Sequence, residues 1–416
     1  MHLSDFGRRF TRRTGILELM ADLGSAVEAS GPIHMLGGGN PALIPEVNAL
    51  WRRRMEEILA NGDEYERMIA AYDSPNGRLA FRKAVAEFLR REQGWDVTSD
   101  NIAITNGSQT AFFLLFNALA GSSETGLRKI LFPVIPEYIG YADQMLQDNC
   151  FVGRKPTIED LGGNRFKYHV DFGALDVPED AAAICISRPT NPTGNVITDG
   201  EIAGLDELAR ARGIPLLIDN AYGVPFPSMI YTDATPMWNE NIVLAMSLSK
   251  IGLPSVRTGI IVARPELINA ISGANAILSL ANGSFGQVLL QPFFESGEVI
   301  RLSREVIEPF YREKSQKAQE WIDELFGGRV DYSIHSSEGA LFLWVWFKSL
   351  KGTTEELYRR LKERNTIVVP GRYFFFGLAD RWDHEDECVR LNFAMPDEEV
   401  YEGLRIIAEE AQELQE

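Results

Sequence analysis

The chain has 416 residues, 45% of them hydrophobic and 24% charged, with a formal net charge of −18. That size and balance suit a soluble globular protein of two domains or one large one. The acidic excess argues against nucleic acid or an anionic membrane as the main partner, although a few local arginines can still hold a small anion. Cys150, Cys185 and Cys388 show no CxxC spacing, so a reducing cytoplasm and no disulfide framework are expected. Arg8, Arg9, Arg12 and Arg13 are followed by an apolar stretch that Glu18 and Asp22 interrupt, which does not make a signal peptide. No run is long enough for a membrane span.

In chain order, residues 1–47 read as an irregular arm containing Gly37-Gly38-Gly39. Short apolar runs then alternate with helical patterns. Asn101–Thr105 reads as a strand and Gln109–Leu119 as a buried helix, followed by strands at Lys129–Phe132 and Ala183–Ser187. Thr198-Asp-Gly-Glu201 is a capping box that opens a helix to about Arg212. Further strands follow at Pro215–Ile218, Asn241–Met246 and Gly259–Ala263. Runs this continuously apolar do not suit a sheet with one wet face. They predict an α/β fold with a mostly parallel sheet covered by helices on both sides. From about residue 295 the chain is more polar, with strands at Ala340–Phe347 and Val389–Ala394 and helices at Thr354–Arg364 and Asp397–Leu414. Trp344 and Trp346 alternate along their strand as packing residues. The pattern predicts a large domain over 48–294 and a smaller α/β domain from 1–47 and 295–416.

Five segments at strand ends carry the chemistry, and the carboxyl edge of a parallel sheet is where such folds bind ligands. Thr105-Asn-Gly-Ser108-Gln109 lies between a strand and a helix. Free N–H groups there suit a phosphate, although a plain turn explains the segment alone. Tyr138, in Pro136-Glu-Tyr138, can stack on a flat ring or simply pack in the core. Ser187-Arg-Pro-Thr-Asn191-Pro-Thr-Gly194 fixes a turn that aims the Asn191 amide at one spot. Asp219 ends an apolar strand, where an acid needs a cationic partner or a turn to cap. A protonated pyridine nitrogen is one such partner, and Tyr222 follows three residues on. In Ser247-Leu-Ser249-Lys250, a lysine follows an apolar run, with Arg257 just beyond. A buried lysine can form a Schiff base with a carbonyl cofactor, and the hydroxyls and arginine can hold a phosphate beside it.

The order and spacing of these segments resemble the fold-type I pyridoxal-phosphate aminotransferases of class I and II. The resemblance runs from Phe10-Thr-Arg12 through Leu36-Gly-Gly-Gly-Asn-Pro41 to Pro370-Gly371. It rests most on Thr105-Asn-Gly-Ser108, Pro136-Glu-Tyr-Ile-Gly-Tyr141, Ser187–Asn195, Asp219–Pro227 and Met246–Lys250. It implies a mostly parallel seven-stranded sheet, pyridoxal 5′-phosphate as cofactor, and amino acids and 2-oxo acids as substrates. By the same resemblance, Lys250 would carry the cofactor as a Schiff base and shuttle a proton. Asp219 would pair with the pyridinium nitrogen, Tyr222 and Asn191 would bind the ring oxygen, and Tyr138 would stack on the ring. Ser108, Gln109, Ser247, Ser249 and Arg257 would hold the phosphate, with Tyr72 reaching it from a neighbouring subunit in a homodimer with shared sites. Arg390 would take the substrate carboxylate, with Asn191, Gly38 and Gly39 nearby. Without that context, a strand arginine and a flexible glycine loop describe those positions equally.

The motifs resemble in particular the subgroup that exchanges the amino group of valine with pyruvate, giving 2-oxoisovalerate and alanine. A broader alanine-type aminotransferase or a cysteine-S-conjugate β-lyase on the same scaffold is the alternative. A non-catalytic regulator would need a DNA-binding module for which no segment is spare. Arg372-Tyr-Phe-Phe-Phe-Gly377 departs from the family pattern, which has a histidine after Gly371 and a proline before Gly377. The five histidines show no metal-ligand spacing, and Asp383-His-Glu-Asp-Glu387 reads as a solvated face. Neither a dinucleotide fingerprint after a strand nor a hydrolase nucleophile elbow is present.

Overall fold

The computed structural model describes residues 2–12, 14–17, 20–21 and 33–416. Parts of the predicted arm, including Arg13, Glu18 and Asp22, lie outside the described residues. The larger sheet runs in the order Ile102–Thr105, Gly259–Val262, Ile242–Ser247, Leu216–Asp219, Ala181–Ser187 and Gly126–Phe132. Phe151–Gly153 and Gly121–Ser123 both pair with Gly126–Phe132. Among the described residues, eight strands therefore replace the expected seven. The extra one, Gly121–Ser123, is a short hairpin arm with no apolar residue to announce it. Pairing is parallel from Ile242–Ser247 across to Phe151–Gly153, and antiparallel where Gly259–Val262 meets both of its neighbours.

The alternation of side chains along each strand divides this sheet between two cores. Ile102, Ile104, Leu216, Ile218, Leu244 and Met246 join one buried cluster. Ala103, Leu217, Val243, Ala245 and Ile261 join the other. The helices Leu79–Gln93, Asp199–Ala211 and Phe285–Ser296 close the first face, bringing Phe81, Phe88, Ile202 and Phe294. Ser108–Leu119 and Pro265–Ser279 close the second with Phe112, Phe116, Ile268 and Ile271. Each such side chain contributes roughly 1.5–3 kcal/mol when fully buried, and no face is left wet. The predicted capping box is formed: Thr198 Oγ1 accepts from Glu201 N at 3.2 Å, and Glu201 Oε2 accepts from Thr198 N at 2.8 Å.

A second sheet of six strands runs Val369–Pro370, Cys388–Asn392, Phe342–Phe347, Tyr332–His335, Arg165–His169 and Thr157–Gly162. Its last two strands are a hairpin from the middle of the chain, so this sheet draws on more than the two chain ends. His34–Met35 pairs in parallel with Thr366–Ile367. The helices Glu308–Phe326, Thr354–Glu363 and Asp397–Gln415 complete this half. The acidic run is not a solvated face. His384 and Asp386 are buried, at 3% and 6% exposure. His384 packs between Trp346 and Trp382, each 4.6 Å away between ring centres. Asp386 pairs with Arg381, and with Arg372 Nε at 3.4 Å. Arg372, where a histidine is expected, also pairs with Glu355, which anchors the 371–377 segment to the rest of this half.

Candidate active site

Register brings the chemistry to one edge. Ser187 and Ala245 lie opposite Asp219 on the two flanking parallel strands; two of the strands end there, and the third runs two residues further to Ser247, just before Lys250. Gly259, at the start of the antiparallel strand, pairs with both Ser247 and Thr105. A Cβ on Gly259 would lie 2.6 Å from the Gly107 carbonyl carbon, so only glycine lets the two backbones approach this closely. Their approach lays Arg257 over Gly107, itself at φ +80°, where a Cβ would sit 2.2 Å from Arg257 Nη2. The helix Ser108–Leu119 starts there without a side-chain cap, so its first N–H groups stay open to a ligand.

One cavity collects nearly all of the predicted residues. Ser108, Gln109, Tyr138, Asn191, Asp219, Tyr222, Ser247, Ser249, Lys250, Arg257, Gly39 and Arg390 line it. Two do not. Gly38 faces an adjoining cavity, and its carbonyl accepts from Asn392 Nδ2 at 2.6 Å. Tyr72 is 86% exposed on the outer surface. Ile16, Met20, Ile139, Ser187, Pro189 and Ala221 complete the wall.

Lys250 Nζ donates to Gly39 O at 2.7 Å and lies 5.1 Å from the centre of the Tyr222 ring. Burial, and then the charges of Arg390 and Arg257, pull its pKa down to about 7, while Asp219 opposes them. Near neutral pH a large share is therefore free amine, the nucleophilic form. Asp219 accepts from Tyr141 Oη and, at 3.0 Å, from Ala221 N. Burial raises its pKa to about 6, against the pull of those two donors and Lys250. Burial likewise raises the phenols of Tyr138 and Tyr222, which stay neutral donors.

Arg390 comes from the second sheet, where it pairs with Trp344 and Val369 across its neighbours. It is 2% exposed. Nη1 donates to Asn191 Oδ1 at 2.8 Å and Nη2 to Gly37 O at 2.6 Å, while Nε has no partner. The Phe342 and Phe374 ring centres lie 4.2 and 5.2 Å from the guanidinium carbon. Burial pulls its pKa down to about 10, so it remains a cation. Among the described residues no acid forms an ion pair with it. A buried cation without a counter-ion is costly to hold and calls for an anion from outside.

The class I and II aminotransferase family matches residues 51–407. The valine–pyruvate aminotransferase of Escherichia coli K12 is 48% identical over 411 residues, 99% of this chain and 98% of its own. The chain belongs to the class I and II aminotransferases. The crystal structure of the valine–pyruvate aminotransferase from Salmonella typhimurium LT2 superposes with a TM-score of 0.89 at 46% identity, over 96% of this chain and 99% of that one. A Psychrobacter arcticum 273-4 structure reaches 0.97 at 43% identity, over 100% and 99%. The protein is thus a fold-type I, pyridoxal-phosphate-dependent aminotransferase acting on amino acids and 2-oxo acids.

The residues of this aminotransferase fit that cofactor. The uncapped helix start, the hydroxyls of Ser108, Ser247 and Ser249, and Arg257 make a cradle for a phosphate. Gln109 Nε2 donates to Gly140 O at 3.1 Å, so it is the backbone N–H of Gln109, in the first turn of the uncapped helix, that faces a phosphate as a donor. Ser247 Oγ donates to Ser249 Oγ at 3.0 Å and accepts from Ser249 N at 3.2 Å, which holds both hydroxyls on the cavity wall. Sequence reasoning passed over Glu137, Tyr141 and Ser187. Tyr141 stands in a motif singled out for Tyr138, three residues before it, and that spacing was the available signal. Glu137 and Ser187 meet across 50 positions, which no local pattern shows.

Proposed function

We propose that this aminotransferase exchanges the amino group of valine with pyruvate, giving 2-oxoisovalerate and alanine, with pyridoxal phosphate carried on Lys250. The observation that carries the reading is Arg390: a buried guanidinium with an idle Nε, facing the same cavity as a lysine with a pKa of about 7. A guanidinium fork suits a carboxylate, and the lysine suits a carbonyl. Valine is favoured by the E. coli relative and by an apolar wall of Ile16, Met20, Ile139 and Ala221. The three cations lining the cavity among the described residues are Lys250, Arg257 and Arg390. Each has a partner in this scheme, and an acidic side chain would find none.

When bound, the cofactor supplies an electrophilic carbon and a ring that accepts an electron pair. Arg390 holds the substrate α-carboxylate, with Asn191 fixing the plane of the guanidinium. Asp219, kept anionic by Tyr141 and Ala221 N–H, would pair with the ring nitrogen. Asn191 and Tyr222 would donate to the ring oxygen, and Tyr138 would stack on the ring. Lys250, in large part a free amine near neutral pH, would take the substrate α-proton and return it. Ser108, Gln109, Ser247, Ser249 and Arg257 would hold the phosphate, and Gly39 would lend its backbone near the substrate.

We further propose a homodimer in which Tyr72 completes the site of the partner subunit. Tyr72 lies in a surface with exposed Ile69, Leu79, Leu278 and Ile277, the last 91% exposed. Asn275 and Asn282 tie these segments together by donating to Pro75 O at 2.7 and 3.3 Å. Such a patch suits a second copy of the chain. A cytoplasmic location fits three cysteines that are all buried and unpaired. Among the described residues no helix is long and apolar enough to cross a membrane.

The test is a screen of single half-reactions. Holoenzyme is mixed with valine, alanine, leucine, aspartate or glutamate, and the visible absorption of the cofactor is followed. Valine and alanine should convert it fastest. Faster conversion by aspartate or glutamate would overturn the substrate assignment.

A further inference from the structure

The sheet that carries Arg390 also grips the turn that carries Asn191. That turn closes on itself: Gly194 N donates to Thr190 O and Thr190 N to Asn195 O, both at 2.8 Å, with Asn191 between them. Thr190 Oγ1 donates to Ser187 O at 3.0 Å and ties the turn to the strand end. Gly194 stands at φ +71°, and a Cβ there would lie 2.8 Å from Gly339 O. A Cβ on Gly339 would in turn lie 2.5 Å from Pro189 Cγ, so the two segments press together backbone to backbone.

An ion pair closes that contact. Lys167 stands on the strand Arg165–His169, and Glu338 follows the neighbouring strand Tyr332–His335. Their side chains are 9% and 15% exposed and pair with each other. Lys167 Nζ also donates to Asn195 Oδ1 and to Val196 O, each at 3.2 Å. Glu338 Oε2 accepts from Val196 N at 3.0 Å. An ammonium has three hydrogens, and all of them are used here, so Lys167 has none left for a ligand. The pair thus takes the amide oxygen of Asn195 and both backbone groups of Val196, where the turn ends. Asn195 Nδ2 donates to Tyr168 O at 3.1 Å, on the same strand as Lys167. Just beyond Glu338 the chain enters the strand Phe342–Phe347, and the Phe342 ring lies against the Arg390 guanidinium. A buried ion pair adds little net stability, but one with every donor satisfied fixes a single arrangement.

We propose that Lys167 and Glu338 are positioning residues: their ion pair holds the end of the turn so that the Asn191 amide meets Arg390 and sets the plane in which the guanidinium takes the substrate carboxylate. The proposal rests on reading Arg390 as the carboxylate anchor. Lys167 and Glu338 do not line the cavity themselves, and they act on it through Asn191, which does.

A double-mutant cycle tests this on the holoenzyme, with whichever amino acid converts the cofactor fastest. Lys167→Met should raise KM roughly ten-fold and leave kcat within about three-fold, because Lys250 and Asp219 stand outside the clamp. In an Asn191→Ala background the same substitution should raise KM less than about two-fold. A merely structural pair multiplies KM by the same factor in both backgrounds. An equal factor, an unmoved KM in the wild-type background, or a kcat that falls as far as KM rises overturns the proposal. Should Lys167→Met not fold, Glu338→Gln, which keeps its shape and an acceptor for Val196 N, runs the same cycle with the same outcomes. Failure of the carboxylate reading would look different: Arg390→Ala would leave KM unchanged, whatever the cycle shows.

Discussion

Replacing Lys250 with methionine should make the cofactor-free protein more stable, and by an amount that depends on pH. Folding lowers the lysine pKa from 10.5 to about 7, chiefly by burial. At about 1.36 kcal/mol per pH unit, that fall opposes folding by about 5 kcal/mol when the amine is charged. Lys250 keeps part of its surface open to the cavity, and methionine also forfeits the hydrogen bond to Gly39 O. Together these reduce the expected gain to about 3 kcal/mol. The sign follows from proton counting. Between pH 7 and 10.5 the unfolded chain binds the proton that the folded chain releases, so the wild type gains stability as pH rises. The advantage of Lys250→Met is therefore full below pH 7 and shrinks towards pH 10.5. Urea unfolding of both apoproteins at three pH values within that window reads it directly. A wild type as stable as the variant near pH 7, or a gap that does not change with pH, would refute the argument.

Tyr141→Phe removes the phenol that holds down the Asp219 pKa, so the acid limb of the kcat/KM profile should move up by about one pH unit. An unmoved limb would detach Tyr141 from Asp219. Arg390→Ala should raise KM for amino acids at least about 100-fold, while the cofactor dissociation constant, measured by equilibrium dialysis, stays within about two-fold. Equal loss of both would mean that Arg390 serves the cofactor. Gly107→Ala puts a Cβ where Arg257 lies and strains a backbone at φ +80°. It should weaken cofactor binding roughly ten-fold, and unchanged binding would remove Arg257 from the phosphate cradle.

The centre of the larger sheet was legible because Ile102–Thr105, Ala181–Ser187, Leu216–Asp219, Ile242–Ser247 and Gly259–Val262 are buried along their whole length, so each is an apolar run that any reading of hydrophobicity finds. Asp219 was legible for the same reason: an acid at the end of Leu216-Leu217-Ile218 stands out. Arg390 was not, because a strand arginine looks alike whether it faces solvent or a sealed cavity. Only the resemblance singled it out. The hairpin Thr157–Gly162 and Arg165–His169 hid differently. Its first strand is exposed along its whole length, and it pairs with residues some 170 positions later. The acidic run misled because charge density suggests solvent, whereas His384 and Asp386 turn inward to aromatic rings and arginines. Glu137 escaped because its meaning lies in what it touches, a serine 50 residues away on another strand.

Arg390 stands on one sheet and Lys250 at the edge of the other. A substrate with its carboxylate on Arg390 and its amine at the cofactor beside Lys250 would bridge the two halves of the molecule, and the gap between them would gauge the separation of its carboxylate and amine. An α-amino acid has one carbon between these groups, and β-alanine has two. The longer molecule would satisfy one anchor only by giving up the other, or by shifting one sheet against the other. Selection for α-amino acids would then lie in the spacing of the two halves, and the cavity wall would be left to sort side chains alone.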